Sequence, residues 1–515
     1  MQSRDSAWMA DVPERKGNPL ERDVTVDVCV IGGGLAGMTS AYLLRRAGKS
    51  VAVLDQGPLA GGNTRRTTAH LSNAIDDRYV EVERIHGSDG ARLAAESHTG
   101  AIRRIEEIVQ QERIGCDFER LDGYLFVPAG ESPELLDREL AAAHAAGLAG
   151  VEKMARAPWP SFETGPCLRF PDQGQFHPLR YIDGLGRAVL RDGGRIHTDT
   201  HVDRIDGGTI ARVCTAAGPV VSALFVVVAT NSPFNDLVAI HTKQAPYLTY
   251  AIGAAVPLGS VPKGLYWDTL DPYHYVRLAP MASGGESSSR EGAQDRELLI
   301  VGGEDHKTGQ ADDQEARFGR LEAWARERFP MVEEVPFRWS GQVMETIDGL
   351  AFIGRNPGDR ENVFIITGDS GMGMTHGTIG GMIVSDLILG RENPWAKLYD
   401  PSRKPVGAAR DFASENLNVA GQYARWLTGG EVSDRSEIPV GEGAVIRRGL
   451  KKLAVYRDGE DLYRECSAVC PHLGCIVAWN SAEKTWDCPC HGSRFDRSGE
   501  LINAPANRGL EPHGE

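Results

Sequence analysis

The chain has 515 residues, 41% of them hydrophobic and 25% charged, with a formal net charge of -15. Such a length exceeds what one core organises and suggests about three structural units, while the composition is that of a globular chain rather than a disordered or membrane-spanning one. The negative balance opposes nucleic-acid binding, which rests on clustered Lys and Arg, and favours small molecules or proteins as partners.

The stretch from Met1 to Leu20 is polar and has no apolar core leading to a cleavage site. No apolar run reaches the length of about 20 residues that a spanning helix needs, so no transmembrane segment and a cytoplasmic location are expected. From Asp27, the run Val28, Cys29, Val30, Ile31 reads as a buried parallel strand. A helix over Met38 to Ala47, stopped by Gly48, and a strand over Ser50 to Leu54 complete a βαβ unit.

Gly32, Gly34 and Gly37, with Ala36 among them, form GxGxxG between that strand and helix. Glycines there allow a tight turn and bring backbone N–H groups to a pyrophosphate, and Asp55, followed by Gln56, ends the second strand where a carboxylate can accept from ribose hydroxyls. The alternative, glycines serving packing only, is outweighed by the complete βαβ context. FAD and NAD share the fingerprint, so it does not choose between them.

Helical patterns follow over Tyr79 to Gln111 and Glu134 to Ala146, with a strand at Tyr124 to Val127 between them. The apolar run Leu224 to Thr230 reads as a late strand of the nucleotide-binding sheet. Segments at Leu248 to Val256, Tyr273 to Leu278 and Leu298 to Gly302 predict a separate antiparallel sheet, with Ser283 to Gln294, rich in Gly and Ser, as a loop between strands. A strand at Asn362 to Thr367, a glycine cluster over Gly368 to Gly381 and a helix over Met382 to Leu389 restore nucleotide-binding character. Asp400 to Ser433 reads as a connecting arm with at most one helix, and strand-rich sequence begins at Glu437.

Five of the nine cysteines crowd between Cys466 and Cys490, which in a chain without export signals points to metal. Cys470-Pro471-His472 and Cys488-Pro489-Cys490-His491 give C-x-H and C-x-x-H boxes. In a Rieske centre one iron takes two thiolates and the other two imidazoles, so Cys470, His472, Cys488 and His491 are the expected metal ligands. A Cys2His2 zinc site is the alternative, but zinc leaves the adjoining glycines, prolines and extra cysteines unexplained. Cys466 matches no ligand position and is expected to be a free thiol.

The run Cys470 to Cys475 (CPHLGC) with Cys488 to Ser493 (CPCHGS) is similar to the Rieske domains of cytochrome complexes. That resemblance implies a disulfide between Cys475 and Cys490. It also implies a hydroxyl at Ser493 that donates to a cluster sulfur, and it sets Phe495 where high-potential relatives carry Tyr. The segment Gly61 to Leu71 resembles the second flavin-contacting loop of the D-amino-acid oxidase-like FAD family, and Gly368 to His376 resembles that family's C-terminal flavin motif. The three motifs occur in the family's order over roughly Asp27 to Arg403.

The resemblance implies FAD held by Gly62, Thr64, Arg66, Thr67, Thr68, His70 and Leu71, by Val202 at the adenine, by Ala229 and Thr230, and by Gly373, Met374 and Thr375. Arg66 occupies the place where some relatives carry a linking His, and no Cys lies between Ser340 and Pro401, so covalent attachment is not expected. The implied fold is a Rossmann-like α/β FAD-binding domain of the glutathione-reductase type, interleaved with an antiparallel-sheet substrate domain and followed by a small all-β Rieske domain. The expected division is 24–400 for the oxidoreductase, with FAD-binding parts about 24–80, 175–240 and 340–400 and substrate parts about 81–174 and 241–339. The arm then covers 401–433 and the Rieske domain 434–515.

A flavin takes two electrons as hydride and the cluster takes one, so the pair reads as a dehydrogenase or oxidase of an amine or amino-acid-like C–N bond that releases single electrons to a soluble or protein acceptor. Amino-acid oxidases of the family clamp the substrate carboxylate with an Arg before the sequence here written Asp348-Gly349-Leu350. This chain has Gln342, Val343 and Met344 there, which favours an amine unless Arg277 supplies the clamp. Tyr275, Arg277 and His376 are the candidate catalytic residues, and Tyr266, Trp267 and Asp268 could line the pocket. The alternative is an electron-transfer flavo-iron-sulfur protein fed by a reductase for a reductive or monooxygenase-like step.

Overall fold

The computed structural model describes residues 5–10, 12, 17–128, 130–235, 240–281, 295–404 and 406–513. The expected loop Ser283 to Gln294 lies outside the described residues.

An unbroken apolar run has no solvent face, so the strand Val24–Ile31 takes the middle of a sheet covered on both sides. It pairs in parallel with Val51–Leu54 and with Val220–Val228. The full order is Phe352–Arg355, Val363–Thr367, Val220–Val228, Val24–Ile31, Val51–Leu54 and Arg195–His197, with the hairpin Val202–Asp206 and Ala211–Thr215 attached to Val220–Val228. The chain leaves and returns to this sheet, as a discontinuous domain requires.

The helices Leu35–Arg46 and Gly373–Ile388 pack together over the sheet. The sequence predicts the second to begin at Met382, with a glycine loop before it. The helix instead starts nine residues earlier, at Gly373. Its glycines serve close approach: a Cβ at Gly381 would lie 2.6 Å from the Thr39 side chain, and one at Gly377 3.3 Å from Leu35. Gly368, Ser370 and Gly371 take positive φ in the turn before the helix.

The second sheet has nine strands, in the order Phe337–Thr346, Gln244–Pro257, Arg296–Lys307, His274–Pro280, Leu265–Asp268, Glu119–Phe126, Cys167–Gln175 and His70–Leu71, with Glu152–Met154 beside Cys167–Gln175. It is antiparallel except where Leu265–Asp268 runs parallel to Glu119–Phe126. The predicted strands are shorter than those observed because their charged ends, such as Glu304 to Lys307, still pair within the sheet. The helix Arg78–Glu112 is broken at Gly87, whose φ is +73°.

The arm carries one α-helix, Ala409–Gln422, and a short 3-10 turn, Tyr423–Trp426. Beyond it lie two small antiparallel sheets, Gly443–Arg448 with Lys451–Arg457 and Tyr463–Ser467, and Ala478–Asn480 with Thr485–Asp487, Arg494–Asp496 and Leu501–Asn503. Among the described residues no helix is long and apolar enough to cross a membrane.

The first glycine turn sets how closely helix and strand meet. Gly32 has φ +105°, and a Cβ on Gly37 would fall 1.9 Å from the Gly32 carbonyl oxygen. Overpacking of this kind costs roughly 1–3 kcal/mol, so Gly37→Ala is expected to lower the unfolding free energy by that amount, seen as a lower urea midpoint; an unchanged midpoint would show that the turn can yield.

Candidate active site and cluster centre

A cavity of about 850 Å³ is walled by both large sheets. Gly32, Gly34 and Ala36 of the first turn line it, and so do Asp55 and Gln56 at the end of the second strand. The Asp55 carboxylate is already oriented, accepting from Gly33 N (2.6 Å) and Gly57 N (2.8 Å), and burial lifts its pKa to about 6. Gly62, Thr64, Arg66, Thr67, Thr68, His70, Val202, Ala229, Thr230, Gly373 and Met374 complete the cavity wall, together with Tyr275 and His376.

Four expected site residues stand elsewhere. Gly37 supports the turn from below, and Leu71 belongs to the core. Thr375 turns its hydroxyl to Met372 O (3.2 Å) and His98 Nδ1 (2.8 Å). Arg277 does not reach the cavity, which removes it as a carboxylate clamp: its guanidinium donates to Thr68 O (3.1 Å), Ala69 O (2.7 Å), Phe176 O (3.4 Å) and Leu278 O (3.2 Å). Its cationic head is spent on carbonyls of the 61–71 segment and its neighbours.

Of the pocket candidates, Trp267 lines the cavity, Tyr266 is core and Asp268 binds His274. Tyr275 shares a hydrogen bond with Thr249 Oγ1 (2.7 Å). His376 is bonded through Nδ1 to Asp369 O (2.9 Å), and burial lowers its pKa to about 4, so its imidazole is neutral with a buried Nε2 that has no protein partner. Asn231, another lining residue, keeps a buried Nδ2 without a hydrogen bond among the described residues. A polar ligand is the ordinary partner for such atoms.

The part of the cavity beside Tyr275 is acidic. Asp76, Asp305, Glu345 and Asp369 line it. Burial raises Asp76, Asp305 and Asp369 to about 6. Glu345 is pushed well up by burial and then by its neighbours Asp77 and Asp76. The Tyr273 hydroxyl donates to Asp76 (3.0 Å). Among the described residues only Arg65, Arg66 and Arg508 bring a Lys or Arg to the wall, and Arg66 is paired with Glu483 at 2.9 Å.

The two metal boxes form matched turns. Cys470 N donates to Cys475 O and Gly474 N to Cys470 O; likewise Cys488 N donates to Ser493 O and Gly492 N to Cys488 O. Gly474 and Gly492 have φ of +78° and +81°, which explains glycine at both. The loops bring the Cys470 and Cys488 thiols within hydrogen-bond reach and set the His472 and His491 rings 5.0 Å apart. Cys475 and Cys490 form a disulfide, so only Cys488 of the sulfur group Cys475, Cys488 and Cys490 keeps a thiol for metal. His491 Nδ1 is buried without a hydrogen bond. Two thiols, two imidazoles and this orphaned nitrogen fit a Rieske cluster. Cys466 is buried and free.

The model of the FAD dependent oxidoreductase family matches residues 27–387, and that of the Rieske [2Fe-2S] domain matches 430–513. The chain is a DAO-family FAD-dependent oxidoreductase. Its flavoprotein part binds FAD, and its C-terminal domain binds a [2Fe–2S] cluster. The same architecture extends over a relative, the Rieske 2Fe-2S iron-sulfur protein YhfW of Bacillus subtilis (strain 168), 30% identical over 96% of this chain and 94% of that one. Gamma-glutamylputrescine oxidoreductase of Escherichia coli (strain K12) is 26% identical over 72% of this chain and 85% of its own. Glycine oxidase from Geobacillus kaustophilus shares the fold, with a TM-score of 0.59 at 17% identity over 74% of this chain and 99% of that one.

Sequence reasoning missed Asn231, Asp76, Asp305 and Glu345 as lining residues of this flavoenzyme. Asn231 directly follows the expected pair Ala229 and Thr230, so its place was legible. The carboxylates come from separate strands and loops and meet only in the fold. The cluster pocket is directly testable: Cys488→Ser is expected to abolish the cluster's visible and electron-paramagnetic signals while the flavin spectrum persists, and a retained cluster would remove Cys488 from the ligand set.

Proposed function

We propose that the protein oxidises a C–N bond of a positively charged amine and passes the electrons singly to a cluster ligated by Cys470, His472, Cys488 and His491. The observation that carries the substrate reading is the acidic end of the cavity, where Asp76, Asp305, Glu345 and Asp369 face the ligand space, while Gln342, Val343 and Met344 stand in the stretch where the family's amino-acid oxidases carry a clamping Arg. Like charges held close in a dry site push one another toward the neutral acid, and a cation between them relieves that strain. A substrate carboxylate would meet repulsion there. The relative acting on gamma-glutamylputrescine, an amine derivative, agrees with this reading.

Bound flavin supplies the hydride acceptor. The chain contributes orientation: Tyr273 and Thr249 hold the Asp76 and Tyr275 side chains, and the neutral His376 keeps its Nε2 free to accept a hydrogen bond. Toward the cluster, the buried Gln342 lines the cavity and donates to Gly492 O (2.9 Å), next to His491. The His241 ring lies 4.8 Å from that of His472 and 5.7 Å from that of His491. These contacts join the cavity wall to the cluster loops and support electron flow within one chain.

Anaerobic mixing with monoamines, diamines and α-amino acids tests both halves. Cationic amines are expected to bleach the flavin and then produce the reduced-cluster paramagnetic signal, with α-amino acids inactive. Bleaching by α-amino acids alone would overturn the substrate reading; bleaching by none would favour electrons arriving from a reductase. In addition, Glu345→Gln is expected to raise KM for the amine about tenfold or more, since a hydrogen bond to a charged group contributes roughly 1.5–3 kcal/mol.

A further inference from the structure

The FAD cavity has a wall that its own domain does not supply. Residues 500–509, from the last strand of the Rieske domain and the segment after it, line the cavity beside Asp55, Gln56, His201 and Val202. Two hydrogen bonds hold this wall in place. Gln56 Nε2 donates to Ile502 O (2.8 Å), and His201 Nε2 donates to Asn507 O (2.8 Å). Gln56 Oε1 and His201 Nδ1 are themselves 3.2 Å apart, so one pair of side chains grips both carbonyls. At this end a dinucleotide places its adenosine: Asp55 stands at the ribose position and Val202 at the adenine position.

We infer that the Rieske domain forms the outer wall of the adenosine subsite, so that FAD binding and docking of the cluster onto the flavin domain are one coupled equilibrium. The wall brings Glu500 and one cation, Arg508, whose side chain makes no ion pair among the described residues, to a rim that also carries Asp55 and Asp203. FAD is a dianionic dinucleotide, and Arg508 is the group on this wall that offsets those carboxylates. The same domain, at its other end, is seated on the flavin domain through Gln342 to Gly492 O and Arg66 to Glu483. Because FAD contacts both domains only when they are docked, each event strengthens the other by the same factor.

The inference does not depend on the amine reading and stands or falls separately from it. Hydrogen exchange in the full-length protein, with the cluster intact, compares the FAD-loaded form with the form stripped of FAD. The amides of residues 500–509 are expected to exchange at least tenfold more slowly when FAD is bound, since a docked wall must open before it exchanges; equal exchange in the two forms would overturn the inference. A fluorescence titration of stripped protein with FAD provides the second reading. Arg508→Glu is expected to weaken FAD binding about tenfold with the cluster's paramagnetic spectrum unchanged, and wild-type affinity in that variant would remove Arg508 from the subsite.

Discussion

Gln342 is a neutral amide buried between two redox sites, and both ends of it are used. Its Nε2 donates to Gly492 O (2.9 Å), while its Oε1 accepts from Asn503 (3.3 Å). An Arg at this position would bring a charge into a dry interface where no carboxylate faces Gly492 O, at a desolvation cost of several kcal/mol. The amide therefore suits the cluster loop, whose carbonyl it meets without bringing in a charge.

The acidic end of the cavity is governed by burial. Arg277 is committed to backbone carbonyls, and the pull of Arg78 on Asp76 and of Arg317 on Asp305 is smaller than the effect of desolvation. Burial therefore dominates, and their acidities shift toward neutrality. Buried carboxylates gathered without a close cationic partner are costly, which distinguishes this end of the cavity from a structural salt bridge. The second, smaller cavity, about 350 Å³, shares Glu345, but there the carboxylates of Glu81, Asp348 and Glu415 are paired with Arg84, Arg403 and Lys307.

Local chemistry was legible in the sequence and long-range contact was not. The GxGxxG turn, its acidic partner and the two metal boxes are each set by residues within a few positions of one another, and their spacing carries the geometry. Glycine lowers helix propensity, so the sequence predicts a late start for the helix Gly373–Ile388, but tertiary contact overrides it: the glycines admit the helix Leu35–Arg46 to close range. The sequence leaves Arg277 as a possible clamp because an Arg on a substrate-sheet strand can face either side. Its burial decides the matter. No local pattern announces that residues 500–509 would lie beside Asp55 or that Glu345 would sit among three aspartates.

The arm explains why the cluster is held rather than carried. Asn418 and Gln310 exchange hydrogen bonds, Asn416 donates to Thr242 O, and Lys307 pairs with Glu415, so the helix Ala409–Gln422 is tied to the substrate sheet and the adjoining turn. Beyond that helix, the Tyr423 hydroxyl donates to Leu473 O (2.7 Å) and Trp426 Nε1 to Gly474 O (2.9 Å), gripping the first cluster loop itself. Gln310 adds a donor to Pro489 O in the second loop. For the cluster to swing away, the arm would have to release both loops while Gln342 and Arg66 also lost their partners. Each contact alone contributes about 1 kcal/mol, but they must break together, and the buried amide of Gln342 would be left unsatisfied. The cluster loops are therefore fixed against the cavity wall and the arm at once.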